Sequence, residues 1–128
     1  MAEASGPMRG KRDPQATMLA FLDLETVVPP GHPLRPVKAL ADAALTALSP
    51  ELDRLYAAIG RPSMPPERLL KASLLIALFS VRSERAFCEQ LRYNLLYRWF
   101  LDMGLMEPSF DPTVFTKNRA RLIEPPRV

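Results

Sequence analysis

The placement of proline constrains this chain more than any other feature of its sequence. All 14 prolines lie before Glu67 or after Glu107, and the segment between these residues contains one glycine, Gly104. Proline removes a backbone donor and breaks helix interiors, and glycine weakens them, so a long stretch with almost neither is free to be helical throughout. We therefore expect a helical centre with proline-marked breaks on both sides.

The N-terminal third is predicted from its composition and its prolines. Residues 1–15 are polar, and we expect them to be flexible. The stretch "DLETVVPPGHPLRP" carries four prolines, which fix φ and remove donors, so it predicts an extended arm. From Val37 to Leu48, apolar residues recur at helical spacing and indicate an amphipathic helix. Ser49 and Pro50 are typical of a cap and a first helical residue, so we expect a separate second helix that ends at Ile59.

The remaining helices are delimited by capping residues. The segment Glu67 to Val81 is apolar on nearly every side, which is typical of a helix in the middle of a bundle. Ser83 is expected to cap a fourth helix, Asn94 to interrupt it before a fifth helix that ends at Gly104, and Asp111 to cap the last one. No segment alternates with the period of a strand. The sequence therefore predicts an all-α fold, a small bundle of five to six helices behind the extended arm.

Aromatic residues and the single cysteine are assigned to the core. The rings occupy helical spacings that favour an inner stripe over a surface that stacks on bases, and we expect Trp99 to anchor the bundle. The aromatic residues concerned are Phe87, Tyr93, Tyr97, Trp99 and Phe100. Cys88 lies within the apolar pattern, where a thiol acts as a small hydrophobic group, and one cysteine cannot form an internal disulfide.

The sequence offers little support for catalysis by this chain. The only histidine, His32, lies in the proline-rich arm, remote in sequence from Cys88, so no nucleophile has an evident base. His, Cys and carboxylate residues show no metal-ligand spacing, and no glycine-rich phosphate loop is present. We expect no cofactor. We also see no secretory signal and no apolar run long enough for a membrane span, so we expect a cytoplasmic protein.

Positive charge is concentrated in two segments. The net charge is +3, and the basic residues gather between Arg82 and Arg98 and again after Thr116. Basic clusters of this kind are the electrostatic footprint expected at a phosphate backbone, although a solvated helix face has the same composition.

The first cluster coincides with a helix-turn-helix pattern. Two predicted helices meet at a short break between Ser80 and Ser83, and in such a motif the second helix enters the DNA major groove. The candidate DNA-binding residues are Arg82, Ser83, Arg85, Glu89 and Arg92 there, with Lys117, Arg119 and Arg121 in the last helix. The alternative is an exposed stripe in which Arg85, Glu89 and Arg92 pair along the helix. On spacing alone the two interpretations are equal.

Four motifs carry a resemblance to a known family. In order they are "VPPGHPLRPV", "RPSMPPERLLKASLL", "SVRSERAFCEQLRYNLLYRWF" and "FDPTVFTKNRARL", and together they span most of the chain. In them the chain resembles the N-terminal domain of bacterial insertion-sequence transposases of the insertion-sequence-five, InsH-like type. The resemblance implies a helical domain, residues 16–122, that binds double-stranded DNA at the terminal inverted repeats of a mobile element in the bacterial nucleoid.

The resemblance also implies what a longer protein of this family carries. There, a ribonuclease-H-like domain follows, in which three acidic residues hold magnesium and cut DNA. Asp111 and Glu124 are not expected to belong to that triad. Residues 123–128 do not resemble the family's continuation, and we interpret the chain as a truncated fragment without a catalytic centre. The alternatives are a module that forms homodimers or pairs with full-length transposase and inhibits it, or a non-functional remnant.

Overall fold

A computed structural model describes residues 22–59 and 64–123. Those ranges contain no strand and six helices: α1 (Leu24–Val27), α2 (Leu34–Ile59), α3 (Pro66–Leu78), α4 (Glu84–Leu91), α5 (Leu95–Phe100) and α6 (Pro112–Ile123). The predicted all-α class is confirmed. The flexible segment expected at residues 1–15, and the expected tail beyond Ile123, lie outside the described residues.

The predicted extended arm is wrong, because local polar groups fold it. The Asp23 side chain accepts the Glu25 N–H at 3.0 Å and begins α1. A turn follows, in which the Pro29 carbonyl accepts the His32 N–H at 3.0 Å. His32 Nδ1 then accepts the Leu34 N–H, also at 3.0 Å, at the start of α2. Each helix start leaves orphan N–H groups, and these side chains satisfy them, so four prolines do not keep the segment extended.

The folded arm is fastened to the bundle by Arg35. Its guanidinium donates to the Glu25 and Val28 carbonyls, both at 2.7 Å, and pairs with the Glu25 carboxylate. The same carboxylate accepts the Trp99 indole N–H at 2.9 Å, and the guanidinium lies 5.2 Å from the Trp99 ring centroid. Trp99 is 5 % exposed, as the predicted anchor should be.

The predicted second helix is also wrong as a separate element. Helix α2 runs unbroken from Leu34 to Ile59 with Pro50 inside it. Proline's φ is itself helical, so the residue costs one backbone hydrogen bond and local crowding without forcing a break. Leu45 and Leu52 are buried on either side of Pro50, and this burial holds the helix together across it.

Helices α3 and α5 end earlier than predicted, at Leu78 and Phe100, and they end in the same way. Ser80 has φ 52° and Asp102 has φ 55°. The Val81 N–H donates to the Ile76 carbonyl at 3.0 Å, and the Met103 N–H donates to the Arg98 carbonyl at 2.9 Å. These are Schellman caps, whose left-handed position usually holds glycine. Here serine and aspartate occupy it, which hid both helix ends from the sequence patterns.

Stacked aromatic rings form the centre of the bundle. The Phe87 ring lies 5.4 Å from Tyr97 and 5.7 Å from Phe115, centroid to centroid, and Phe110 continues the stack at 5.5 Å from Phe115. This assignment of the aromatics to the core is confirmed except at Tyr93, which is 66 % exposed. Tyr93 follows the last residue of α4 by two positions, where the turn directs it away from the inner stripe.

A four-membered ion cluster joins α2, α3 and the turn after α5. Lys71 is buried and donates to Asp42 at 2.6 Å and to Asp102 at 3.2 Å. Lys38 lies 2.8 Å from Asp42 and 2.9 Å from Asp102. Because each lysine contacts both carboxylates, the buried ammonium of Lys71 is neutralised, as a buried charge must be.

Candidate nucleic-acid interface

A broad groove of about 1380 Å³ runs along the outer side of α4. Its walls are the break after α3, the exposed face of α4 and the connection from Leu105 to Pro112. Five of the eight candidate residues line it, namely Arg82, Ser83, Arg85, Glu89 and Arg92, and all five are exposed. We call this surface the arginine groove. Its volume exceeds the roughly 300–1,000 Å³ of most small-molecule pockets, so its size favours a macromolecular ligand.

The arginines of this groove keep their charges exposed. In the described ranges Arg82 and Arg85 form no ion pair, while Arg92 lies 3.8 Å from Glu89 with both side chains more than 60 % exposed. An exposed pair of that length contributes little. The expected pairing of Arg85 with Glu89 is therefore not formed. Three exposed guanidinium groups share the groove lining with three carboxylates, those of Glu89, Glu107 and Asp111. Glu107 pairs with Arg68 and Asp111 caps α6, so the unpaired guanidinium groups of Arg82 and Arg85 remain to meet an anionic ligand.

Ser83 begins α4 as the sequence predicts. Its hydroxyl oxygen accepts the Ala86 N–H at 3.0 Å. The hydroxyl oxygen of Ser83 therefore accepts a hydrogen bond within the helix, while its O–H group is available to donate to a ligand. Helices α3 and α4, of 13 and 8 residues, are separated by residues 79–83.

The three candidate residues of α6 do not line the groove. Lys117 and Arg121 are exposed elsewhere on α6. Arg119 instead connects three helices, because its guanidinium donates to the Glu84 carboxylate and to the Ser73 hydroxyl, both at 2.7 Å. Burial acts to raise the pKa of Glu84, but the hydrogen bonds from Arg119 and Thr116 and the charge of Arg119 together outweigh it, and the pKa is lowered. Arg119 was expected to point outward with the other candidates of α6, and this is wrong, because its guanidinium is paired with the Glu84 carboxylate within the protein.

Arg98 belongs to the first basic segment in the sequence, but it is a structural residue. It is 3 % exposed and donates to the carbonyl groups of Leu91, Gly104 and Glu107 at 2.7–2.8 Å. Its position in the last turn of a helix, shortly before a glycine, is the signal that could have identified it. Cations at such positions commonly satisfy free carbonyls.

Arg98 shapes the loop Gly104–Glu107, which forms one rim of the arginine groove. The Glu107 carboxylate accepts the Gly104 N–H at 3.1 Å and the Arg68 guanidinium at 3.2 Å. The hydrogen bonds from Arg68 lower the pKa of Glu107. Both ends of the loop are thus held, while Leu105 and Met106 between them are exposed at its tip.

The described residues show no arrangement for nucleophilic or metal chemistry. Cys88 is buried, and burial raises the pKa of its thiol to about 11, so the reactive thiolate is disfavoured. No group of three or more His, Cys, Asp or Glu in residues 22–59 and 64–123 could hold a metal ion. Over the same ranges, no helix combines the length and apolar character that crossing a bilayer requires.

Comparison with known proteins gives one match. Residues 22–121 match the family model described as Transposase domain (DUF772). The matched range begins at the capped turn before α1 and ends within α6, so it includes every wall of the arginine groove. No curated protein and no solved structure matches the chain.

Proposed function

This chain belongs to the transposase-domain family, and from that premise we propose that it serves DNA transposition by binding duplex DNA in the arginine groove. The DNA is that of the terminal inverted repeats, and α4 enters its major groove as the second helix of a helix-turn-helix pair. The strand-cutting chemistry is supplied outside this domain. The four motifs of the sequence favour the insertion-sequence-five type within the family.

One observation carries this proposal: five candidate residues, separated by up to ten positions in the chain, line one open groove. Arg82 and Arg85 lie at the N-terminal end of α4, where a recognition helix places its base-reading side chains. Arginine donates a fork of N–H groups that matches the guanine edge or a phosphate. Arg92 lies about two helical turns beyond Arg85 along the same wall. This spacing suits contacts to base edges at one end and to phosphate at the other.

Fluorescence anisotropy with a labelled inverted-repeat duplex tests the proposal. Neutralising phosphates releases counterions, so each arginine that contacts a phosphate should add about 0.9 to the steepness of log K against log salt, up to about −2.7 if all three do. Arg92→Ala should make that slope shallower by about 0.9. Arg82→Ala and Arg85→Ala should in addition reduce the preference for the repeat over a shuffled duplex, because base contacts carry sequence information.

Arg54→Ala is the matched control. Arg54 is 69 % exposed on α2 and pairs with Glu51 three residues before it, as the 69 % exposed Arg92 pairs with Glu89. The two substitutions remove the same charge from the same local arrangement, and only Arg92 lines the groove. Equal losses from both variants would show that overall charge, not this surface, binds DNA. Magnesium-stimulated strand cleavage by the chain would contradict a role limited to binding.

A further inference from the structure

We propose that duplex DNA in the arginine groove is locally unstacked, with Met106 inserted at a base step and the Tyr93 ring stacked on a base that the insertion exposes. This inference rests on the proposed function and deepens it. It concerns the apolar side chains of the groove, which electrostatic binding leaves without a role.

Met106 is the most exposed large hydrophobic residue in the described ranges, at 90 %. A single exposed methionine is ordinary when its loop is free. The loop of Met106 is instead held at both ends, by Arg98 bonds of 2.8 Å to the Gly104 carbonyl and 2.7 Å to the Glu107 carbonyl. The protein thus buries a guanidinium to fix the shape of a loop whose tip is apolar. A tip that is already ordered loses little entropy on insertion.

The base of this loop is complementary in charge to DNA. The acceptors of Arg98 are backbone carbonyls, so no carboxylate is dedicated to its charge. The carboxylate of the loop itself, that of Glu107, is bound to Arg68. Two guanidinium groups and one carboxylate therefore leave positive charge directly beneath an apolar tip. Phosphates flank every base step, so this combination fits a duplex better than it fits the apolar surface of another protein.

Tyr93 supplies an aromatic face in the same groove. It is 66 % exposed next to Arg92, and within the described ranges its ring packs on no other ring. Phe79 also lines the groove, but its ring lies 5.5 Å from that of Tyr97. An exposed ring beside an arginine is the arrangement on which bases stack in single-strand binders.

The two features have a common physical explanation. Apolar wedges, methionine among them, enter between base pairs and unstack them, and the protein regains that cost through contacts which the distorted duplex permits. Stacking one base on an aromatic ring is comparable in free energy to unstacking one base step. The Tyr93 ring therefore offsets the distortion that Met106 introduces.

Inverted-repeat duplexes with 2-aminopurine at successive positions test this inference, because 2-aminopurine brightens when it is unstacked. With the unaltered chain, fluorescence should rise at one step and its neighbour only. Met106→Ala should lose that rise while retaining salt-dependent binding. Tyr93→Ala should weaken binding about 5- to 100-fold, and Tyr93→Phe, which keeps the ring face, should restore it. Leu40→Ala is the control, since Leu40 is 73 % exposed on α2 outside the groove.

The outcomes separate this inference from the proposed function. If the chain binds the duplex and no position brightens, the insertion is overturned and the binding proposal stands. If the chain does not bind any duplex, both are overturned. If Met106→Ala leaves the fluorescence unchanged and alters the sedimentation of the free protein, the loop is a contact between copies, and the inference is again overturned. Both substituted side chains are exposed, so their variants should fold, and circular dichroism checks this.

Discussion

Arg98 shows how a residue's role depends on partners that its neighbours in sequence do not reveal. Replacing Arg98 by Met removes the donor of three carbonyl groups while keeping an unbranched apolar stem. We expect a loss of about 2–4 kcal/mol in the free energy of unfolding, because a buried carbonyl without a partner costs about 1–3 kcal/mol. The full cost falls on the buried Leu91 carbonyl, while the part-buried carbonyls of Gly104 and Glu107 can bond to water and add less. Urea unfolding of the variant and of the unaltered chain measures this difference in the free energy of unfolding. Arg54→Met, on an exposed helix face, should change stability by less than about 0.5 kcal/mol.

At the same scale, caps were predictable and tertiary pairs were not. Ser83 and Asp111 cap helices as predicted. A capping side chain accepts backbone N–H groups only two or three residues further along the chain, so the local sequence is enough to predict it. Cys88 is buried, as its apolar neighbours indicated. Arg119 was placed on the surface because its partner, Glu84, lies 35 positions away. No local pattern could reveal a contact over that separation.

At the scale of the element, we expect glycine substitution to change stability in opposite directions at the left-handed positions of the two Schellman caps. Ser80 has a left-handed backbone, and its side chain lines the groove without a hydrogen bond to any described residue, so Ser80→Gly relieves strain. We expect stabilisation of about 0.5–1 kcal/mol in thermal or urea unfolding. Asp102 has the same backbone, but its carboxylate contacts Lys38 and Lys71.

Asp102→Gly should therefore destabilise the protein in spite of the same backbone relief. The buried Lys71 would keep Asp42 as its remaining carboxylate, which Lys38 also contacts. A hydrogen bond to a charged group contributes about 1.5–3 kcal/mol, so the loss of one of the two carboxylates that Lys71 contacts exceeds the gain at the turn. Asp102→Asn, which tolerates a left-handed φ, separates the charge from the conformation. If both glycine variants shift the midpoint in the same direction, the ion cluster has no energetic role.

Helix α2 gives the third prediction at this scale. Pro50 lies within a continuous helix, where proline leaves the Thr46 carbonyl without its helical donor. Pro50→Ala should restore that bond and stabilise the chain by about 1 kcal/mol or more, with a small gain in helical circular dichroism. A loss of stability would instead favour the two separate helices that the sequence predicted. Pro50 is compatible both with the first turn of a separate helix and with the interior of one continuous helix. The burial of Leu45 and Leu52 on either side of it favours the continuous helix.

At the scale of the whole molecule, the helical content was predictable from the sequence, but the packing of distant segments into one groove was not. The central segment, with no proline and one glycine, predicted the helical class, and capping residues predicted most helix starts. One wall of the arginine groove was predictable from the sequence, because the spacing of Arg82, Ser83 and Arg85 places them together at the start of α4. The opposite wall, with Met106 at its rim, is a connection without helical or strand periodicity, so the sequence did not predict it. The Arg98 and Glu107 contacts, together with the hydrogen bond from the Ser109 hydroxyl to the Cys88 carbonyl, bring that connection to face α4.

The carboxylates that join distant parts of the chain determine how its stability depends on pH. Burial acts to raise the pKa of Asp42, but the hydrogen bonds from Lys38 and Lys71 outweigh it, and the pKa is lowered from its ordinary 3.8. The pKa values of Glu84 and Glu107 are lowered from 4.5, mainly through Arg119 and Arg68. A group with a lowered pKa stabilises the fold above its unfolded value, and this stabilisation is lost as pH falls through the folded one.

The free energy of unfolding should therefore be level from neutral pH down to about pH 5 and then fall steeply below the ordinary carboxyl values, where the unfolded chain binds protons first. Glu84→Gln should flatten that acid limb and lower stability at pH 7, because Arg119 loses its charged partner between α6 and α4. Urea titrations at several pH values measure both effects. Glu51→Gln is the control, since Glu51 pairs only across an exposed helix turn. If Glu51→Gln flattens the limb as much as Glu84→Gln, acid unfolding reflects general charge repulsion and not the ion pairs that hold α6 against the wall of the arginine groove.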